Sequence, residues 1–389
     1  MSQIKIKTSF IDYWLAFAVS IQSPLIILQQ ILVDILGMEI ESTTKYRVIL
    51  TAFPMLVAII LGFYRNKRLF LITYSFSFII LLYNFCLFPQ NNEYIISEAI
   101  RFTLPVVIPS CLCLICLRDI CFFEKVLYYI SWLTFCLAIF YALNFLLGKI
   151  SFLGYNMSFS YGLLLPMVSL YSRRKRFSVL ASFVLLILVL ALGSRGAAVA
   201  FIFYVILDII LFNKKYIPLF VLVLLAFILI IPLFFSLLEE YGISSRTLML
   251  LLNGEISQDS GRSDIHEMVI NPLMKNPVLG LGLWGDRVYL DGYYCHNILL
   301  EMCLNFGLIL GPLLIFVFIY KFISIYFRTS NLNRIILLKY SISCIVPLFF
   351  SSSYLIAPNF GIILGIFFYG SFHKMNKLTQ TALKYIKNE

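Results

Sequence analysis

Long apolar runs broken by short polar intervals make up most of this chain, and the length of the runs carries the first structural information. A bilayer core takes about 20 apolar residues per helical crossing. Twelve segments meet or approach that length: 10–34, 48–64, 69–88, 99–117, 126–147, 152–171, 177–193, 197–212, 216–236, 297–320, 337–353 and 357–372. The pattern predicts an all-α integral membrane protein of about 12 transmembrane helices, with residues 1–389 as one polytopic domain. Residues 237–296 interrupt it and are expected to form one large external loop carrying short amphipathic helices.

Composition agrees: 61% of residues are hydrophobic and 13% charged, with a mean hydropathy of +0.94, which excludes a water-soluble fold. The net charge of +11 would suggest nucleic acid as a partner, but its distribution gives another reading. Cytoplasmic loops retain Lys and Arg preferentially. With both termini inside, 21 of the 30 basic residues fall on the cytoplasmic side, among them Arg65, Arg118, Lys125, Lys214, Lys339 and the run Arg173–Arg176. The loop 237–296 holds eight acidic residues against four basic ones. The excess charge is therefore a topology signal, with Arg173–Arg176 facing anionic lipid, and no nucleic-acid partner is expected. The first apolar stretch lacks a small-residue cleavage site and is expected to stay as an anchor.

The nine cysteines lie mostly in apolar segments, and the spacing of Cys111, Cys113, Cys116 and Cys121 spreads them over different helix faces. They read as small apolar side chains rather than metal ligands or a disulfide framework. Asp208 is expected to pair with Lys214 or Lys215.

Two places invite chemistry. In Gly193–Gly196 the glycine breaks a helix, Ser194 suits the N-cap of the next, and Arg195 falls in its first turn. A cation there opposes the helix dipole unless an anion joins it; snorkelling to headgroups is the alternative. In the loop, Arg246 and Arg262 add cations, and Ser263 or Asp264 with Glu267 resembles a helix start. A short helix with a kink at Pro272 is expected to follow, ending at the glycines of residues 276–282. His296 stands at the mouth of the next span, placed either to take a proton or to bond a headgroup. Arg287 and Asn297 are further candidates for substrate contact; Trp284, Tyr293 and Tyr294 suit either sugar stacking or an interfacial aromatic belt. Glu301, one turn inside the span, is costly there and is expected to point away from His296.

Ser194-Arg195-Gly196, then Arg262 leading into Asn276-Pro277-x-x-Gly280-x-Gly282, then His296-Asn297 with Gly307 and Gly311, resemble the O-antigen polymerase and O-antigen ligase family of bacterial membrane glycosyltransferases. The resemblance implies a fold like that of the C-type glycosyltransferases in the cytoplasmic (inner) membrane, and an active site on its outer face. It also implies a transferase that needs no metal or cofactor. The donor would be an undecaprenyl-diphosphate-linked oligosaccharide and the acceptor a second such unit, building O-antigen or capsular polysaccharide, with a chain-length regulator as a further partner. By the same resemblance Arg195 and Arg262 hold the diphosphate, with Arg246 beside them. His296 orients or deprotonates the acceptor hydroxyl. His266 departs from the pattern, standing where the family often has tryptophan. A ligase passing glycan to a lipid A core shares every one of these motifs, and a lipid-glycan flippase remains the rival from another class.

Overall fold

The computed structural model describes residues 2–150, 156–192, 194–218 and 262–372. Among these, every regular element is helical: α1 (Ser2–Ser20), α2 (Gln22–Asp34), α3 (Ile40–Arg65), α4 (Lys67–Leu87), α5 (Pro89–Ile115), α6 (Ile120–Leu146), α7 (Met157–Ser172), α8 (Arg176–Ala191) and α9 (Arg195–Phe212). After the undescribed interval come α10 (Arg262–Lys275), α11 (Gly285–Tyr289), α12 (Ile298–Arg328), α13 (Asn331–Phe350) and α14 (Pro358–Phe372). Polar side chains set several starts. Asn66 accepts from Leu69 N, Asp119 from Cys121 N, Asn156 from Phe159 N and Asn297 from Leu299 N and Leu300 N, each satisfying amides that have no partner within the helix.

Seven of the described helices are long and apolar enough to cross a membrane, or eight counting the bent pair α1–α2 as one span. Among the described residues the expected number of about 12 is thus not confirmed. Helices α7, α8 and α14 have 16, 16 and 15 residues, a rise of about 24 Å at most against a hydrocarbon core of about 30 Å. The predicted segment 216–236 lies outside the described residues apart from its first three. Burial explains one short helix. Eleven residues of α7 are enclosed, from Phe159 to Leu170, so it meets helices rather than lipid and need not match bilayer thickness. Around it α2, α6, α8, α9 and α13 supply one apolar core; a second joins α1, α3, α5, α6, α13 and α14, with Cys113 and Cys116 inside it.

Two helices are broken. Between α1 and α2 the axis turns by 46°: Pro24 cannot donate to Ser20 O, and the Ser20 hydroxyl donates to Ala16 O (2.8 Å), both of which loosen the helical ladder. Helix α12 is interrupted at Gly307, whose φ of 78° and ψ of 174° leave the helical region.

Ion pairs gather at one end of the bundle. Arg65 pairs with Asp12 and donates to Cys116 O; Lys339 pairs with Glu124 (2.8 Å), which also accepts from Tyr340; Arg174, at φ 57°, pairs with Asp208. The expected Lys214 or Lys215 partner of Asp208 is thus replaced by Arg174 and Asn213. The α7–α8 turn swings Arg174 across to the end of α9, and Asn213 caps that end. Helix α9 runs from Arg195 to this layer, and α13 runs from Lys339 to Phe350. Arg195 and Phe350 therefore lie at the opposite end from the basic layer.

Candidate active site

The turn before α12 is held from several sides. Asp286 Oδ2 accepts from Cys295 N (3.1 Å), and His266 Nε2 lies 3.0 Å from Cys295 O. A carbonyl only accepts, so Nε2 carries the proton and donates. Asn297 caps α12 with its side chain. Between these anchors His296 takes a φ of 55°, a left-handed conformation that a non-glycine residue rarely adopts. Its ring lies against Tyr294, with centroids 4.4 Å apart, and its Nδ1 is enclosed without a hydrogen-bond partner. Burial, then the positive fields of Arg262, His266 and Arg287, lower the imidazole pKa to about 4, while Asp286 opposes them. At neutral pH His296 is an uncharged ring with a lone pair to offer.

Two of the sequence candidates, and the glycine beside a third, meet at the end of α13. Arg262 Nη2 donates to Phe350 O (2.7 Å), and its guanidinium lies 6.0 Å from the Phe350 ring. Tyr294 Oη donates to Ser351 O (2.7 Å). Gly196, next to Arg195, comes so close that a Cβ there would sit 3.5 Å from Phe350 Cβ and would overlap the Tyr161 hydroxyl. Residues Phe350 and Ser351 thus form a hub at which the start of α9, the start of α10 and the Tyr294–His296 turn converge. Ser194 occupies the N-cap of α9 as expected, in extended conformation, but its side chain makes no capping bond. Arg195 is half-buried at the first turn. Arg246 lies outside the described residues, as does Gly193.

Arg287 and Trp284 take a different place. Both are fully buried. Arg287 Nη1 pairs with Asp286 (2.6 Å) and Glu301 (3.1 Å), and its Nη2 lies 3.5 Å from Glu98. Burial alone would lower the guanidinium pKa, but Asp286 first, then Glu301 and Glu98, raise it above its ordinary value. Glu301 also accepts from Ser353 Oγ and Tyr354 N. It points toward Arg287 and the 351–357 turn, away from His296 as helical spacing predicts. The cluster joins α5, α11, α12 and that turn behind the imidazole; Arg287 supports the Tyr294 ring from 5.5 Å, and Tyr294 in turn supports His296. Tyr293 is 70% exposed, free to meet a ligand or interfacial lipid.

Sequence reasoning passed over Asn84, Asn91 and Glu98. Asn91 Nδ2 donates to Leu281 O (2.8 Å) and Leu283 O (3.0 Å), and Asn84 Oδ1 accepts from Leu283 N (2.8 Å). These side chains fix the glycine-rich turn that leads into α11. The available signal was two asparagines and a glutamate at apolar span ends, where uncompensated polar groups are costly.

Helix α10 forms over Arg262–Lys275 and continues through Pro272. Val269 and Leu273, one turn apart, are its buried residues and pack with Leu281, Leu290, Cys295 and Leu304. This packing brings Arg262 and His266 over the Cys295–His296 turn.

Residues 180–315 match a family model described as O-antigen ligase. This stretch is similar to O-antigen ligase domains. It covers about a third of the chain and spans Arg195, Arg246, Arg262 and His296. Comparison with curated proteins and with solved structures gives no match. The stretch similar to O-antigen ligase begins on α8 and ends within α12, so the hub at Phe350–Ser351 that receives its side chains lies beyond it.

Proposed function

We propose that the chain is a polysaccharide polymerase acting on lipid-linked glycan. A hydroxyl of one undecaprenyl-diphosphate-linked oligosaccharide attacks the anomeric carbon of another. The new glycosidic bond forms as the bond to the diphosphate breaks, and the hydroxyl proton leaves with the lipid diphosphate or through a base. The observation that carries this reading is the meeting of Arg262, Tyr294–His296 and the Arg195–Gly196 helix start on one pair of residues, Phe350 and Ser351.

The leaving group gains negative charge, and fixed guanidiniums on Arg195 and Arg262 stabilise it without reorganising; one such preorganised donor is typically worth on the order of 3–4 kcal/mol. His296, neutral and with an unpartnered ring nitrogen, is suited to receive the acceptor hydroxyl. A pKa of about 4 makes it a weak base before substrate arrives. The arriving diphosphate cancels part of the field of Arg262 and strengthens it, so donor binding prepares the base. The basic layer at the other end of the bundle supports an orientation with that end in the cytosol and the site on the outer face of the inner membrane.

The description of the matching family favours a second reading, a ligase that moves glycan from undecaprenyl diphosphate to a lipid A core. One experiment separates the readings: Arg195→Gln, Arg262→Gln and His296→Asn, each expressed in cells lacking the native protein, with glycan length followed on gels. Polymerase loss leaves single repeat units on the final acceptor lipid. Ligase loss leaves polymer on undecaprenyl diphosphate and a bare core. Normal ladders from all three variants would refute the site assignment.

A further inference from the structure

Helix α12 is broken at membrane depth, and the break is filled by another part of the chain. With Gly307 out of helical conformation, Leu304 O and Leu308 N lose their usual partners. Leu281 N donates to Leu304 O (2.6 Å), and Leu308 N donates to Pro277 O (2.7 Å). Residues 277–281 are thus bonded into the gap as a strap. Only glycine permits the fit: a Cβ on Gly280 (φ 74°) would fall 2.5 Å from both Gly307 N and Leu304 O, and one on Gly307 would overlap Val278 O. The strap backbone therefore faces protein. Its side chains at Val278 and Leu279 point the other way and are 60% and 59% exposed.

What covers them follows from where the break sits. Counting 20 residues back from Lys321, the charge that ends the apolar stretch of α12 toward the basic end, reaches Glu301. Gly307 then lies about 9 Å inside the opposite hydrocarbon boundary at 1.5 Å per residue. Directly beside the strap begins the outer apolar face of α12, with Leu308, Ile309, Leu310 and Leu313 all exposed. Irregular backbone survives at that depth only when its polar groups face protein, which is the arrangement the glycine pair produces.

We infer that Val278 and Leu279 are seated in the hydrocarbon of the bilayer, and that lipid acyl chains are the partner of this surface. The loop after α10 is then a re-entrant strap that ties the catalytic face to the membrane interior, not a segment that stays in water. The inference rests on the membrane-spanning reading and not on the transferase reading, so either can fail alone.

The test is site-specific photo-crosslinking of the full chain in its native membrane, with benzoylphenylalanine replacing Val278 or Leu279 in separate variants. Ile309 serves as the lipid-facing reference and Glu267, on the exposed side of α10, as the aqueous one. Phospholipid adducts identified by mass at 278 and 279 are expected to match the yield at 309 and to exceed that at 267 by about tenfold. Adduct yields at the level of position 267, or cross-links to a second copy or another polypeptide in place of lipid, would overturn the proposal. A variant that fails to accumulate is replaced by depth-dependent quenching of a fluorophore at the other strap position, where quenching by a headgroup quencher stronger than by an acyl-chain quencher counts against it.

Discussion

At the residue scale, the environment of His296 determines what its ring can do. Its pKa of about 4 in the fold lies below the ordinary value of about 6.5. The unfolded chain therefore binds the extra proton more readily, and His296 contributes stability above pH 6.5 that is lost as pH falls toward 4. The same field predicts an activity signature. The acid limb of kcat/KM, which reports the free protein, is expected near pH 4, and that of kcat at higher pH because bound diphosphate offsets Arg262. Arg262→Gln, which removes a positive field that lowers the imidazole pKa, should move the acid limb of kcat/KM to higher pH; a pH–rate profile in proteoliposomes checks this. Tyr294→Phe keeps the ring against the imidazole and removes the bond to Ser351 O, a loss of about 0.5–1.5 kcal/mol. A several-fold fall in kcat with KM little changed is expected from steady-state kinetics.

These side chains were legible in the sequence to different degrees. Arg195, Arg262 and His296 stood out because each is an ionisable group where an apolar chain has no structural need for one. Arg287 is equally conspicuous, yet it is enclosed with three carboxyl groups. Nothing in local sequence tells that Glu98, almost two hundred residues earlier, closes that cluster. Likewise Phe350 and Ser351 serve through backbone carbonyls, which have no side-chain signature.

At the scale of elements, the strap and the break in α12 act as one joint. Gly280→Ala and Gly307→Ala each force a Cβ into backbone and a strained positive φ, costing on the order of 1–3 kcal/mol. Because both disrupt the same contact, the double variant should lose less than the sum of the two. Thermal unfolding in detergent, followed by tryptophan fluorescence, measures the coupling. The buried ion cluster gives a second expectation at this scale. Arg287→Met leaves the enclosed Asp286 and Glu301, and the partly exposed Glu98, without their cation, a cost of about 3–5 kcal/mol, and should lower the amount of folded protein more than Glu301→Gln, which retains hydrogen-bonding capacity. Immunoblots of membrane fractions compare them. The helices were foreseeable because apolar length is a direct readout of a crossing. The short α7 shows what apolar length leaves out: hydropathy does not distinguish a helix wrapped in protein from one wrapped in lipid, and α7 is enclosed by other helices along most of its length.

At the scale of the whole molecule, two polar layers stand at opposite ends of the bundle, one rich in lysine and arginine ion pairs and the other holding the converged site. Arg176→Cys, at the exposed start of α8, should react with a membrane-impermeant thiol reagent only when vesicles expose the cytosolic side, and Glu267→Cys only from the other. The two native exposed cysteines, Cys86 and Cys136, are replaced first. Labelling of both from one side would contradict the topology. Of the two breaks among the described helices, the gap in α12 is filled by the strap. Among the described residues the one cation of the buried cluster, Arg287, is already shared among Asp286, Glu301 and Glu98. Under the proposed function, an anionic headgroup drawn to Arg195 and Arg262 would find the charge of Arg287 already matched by carboxylates, so a phosphate-bearing lipid would be held at the doorway and turned back by the floor.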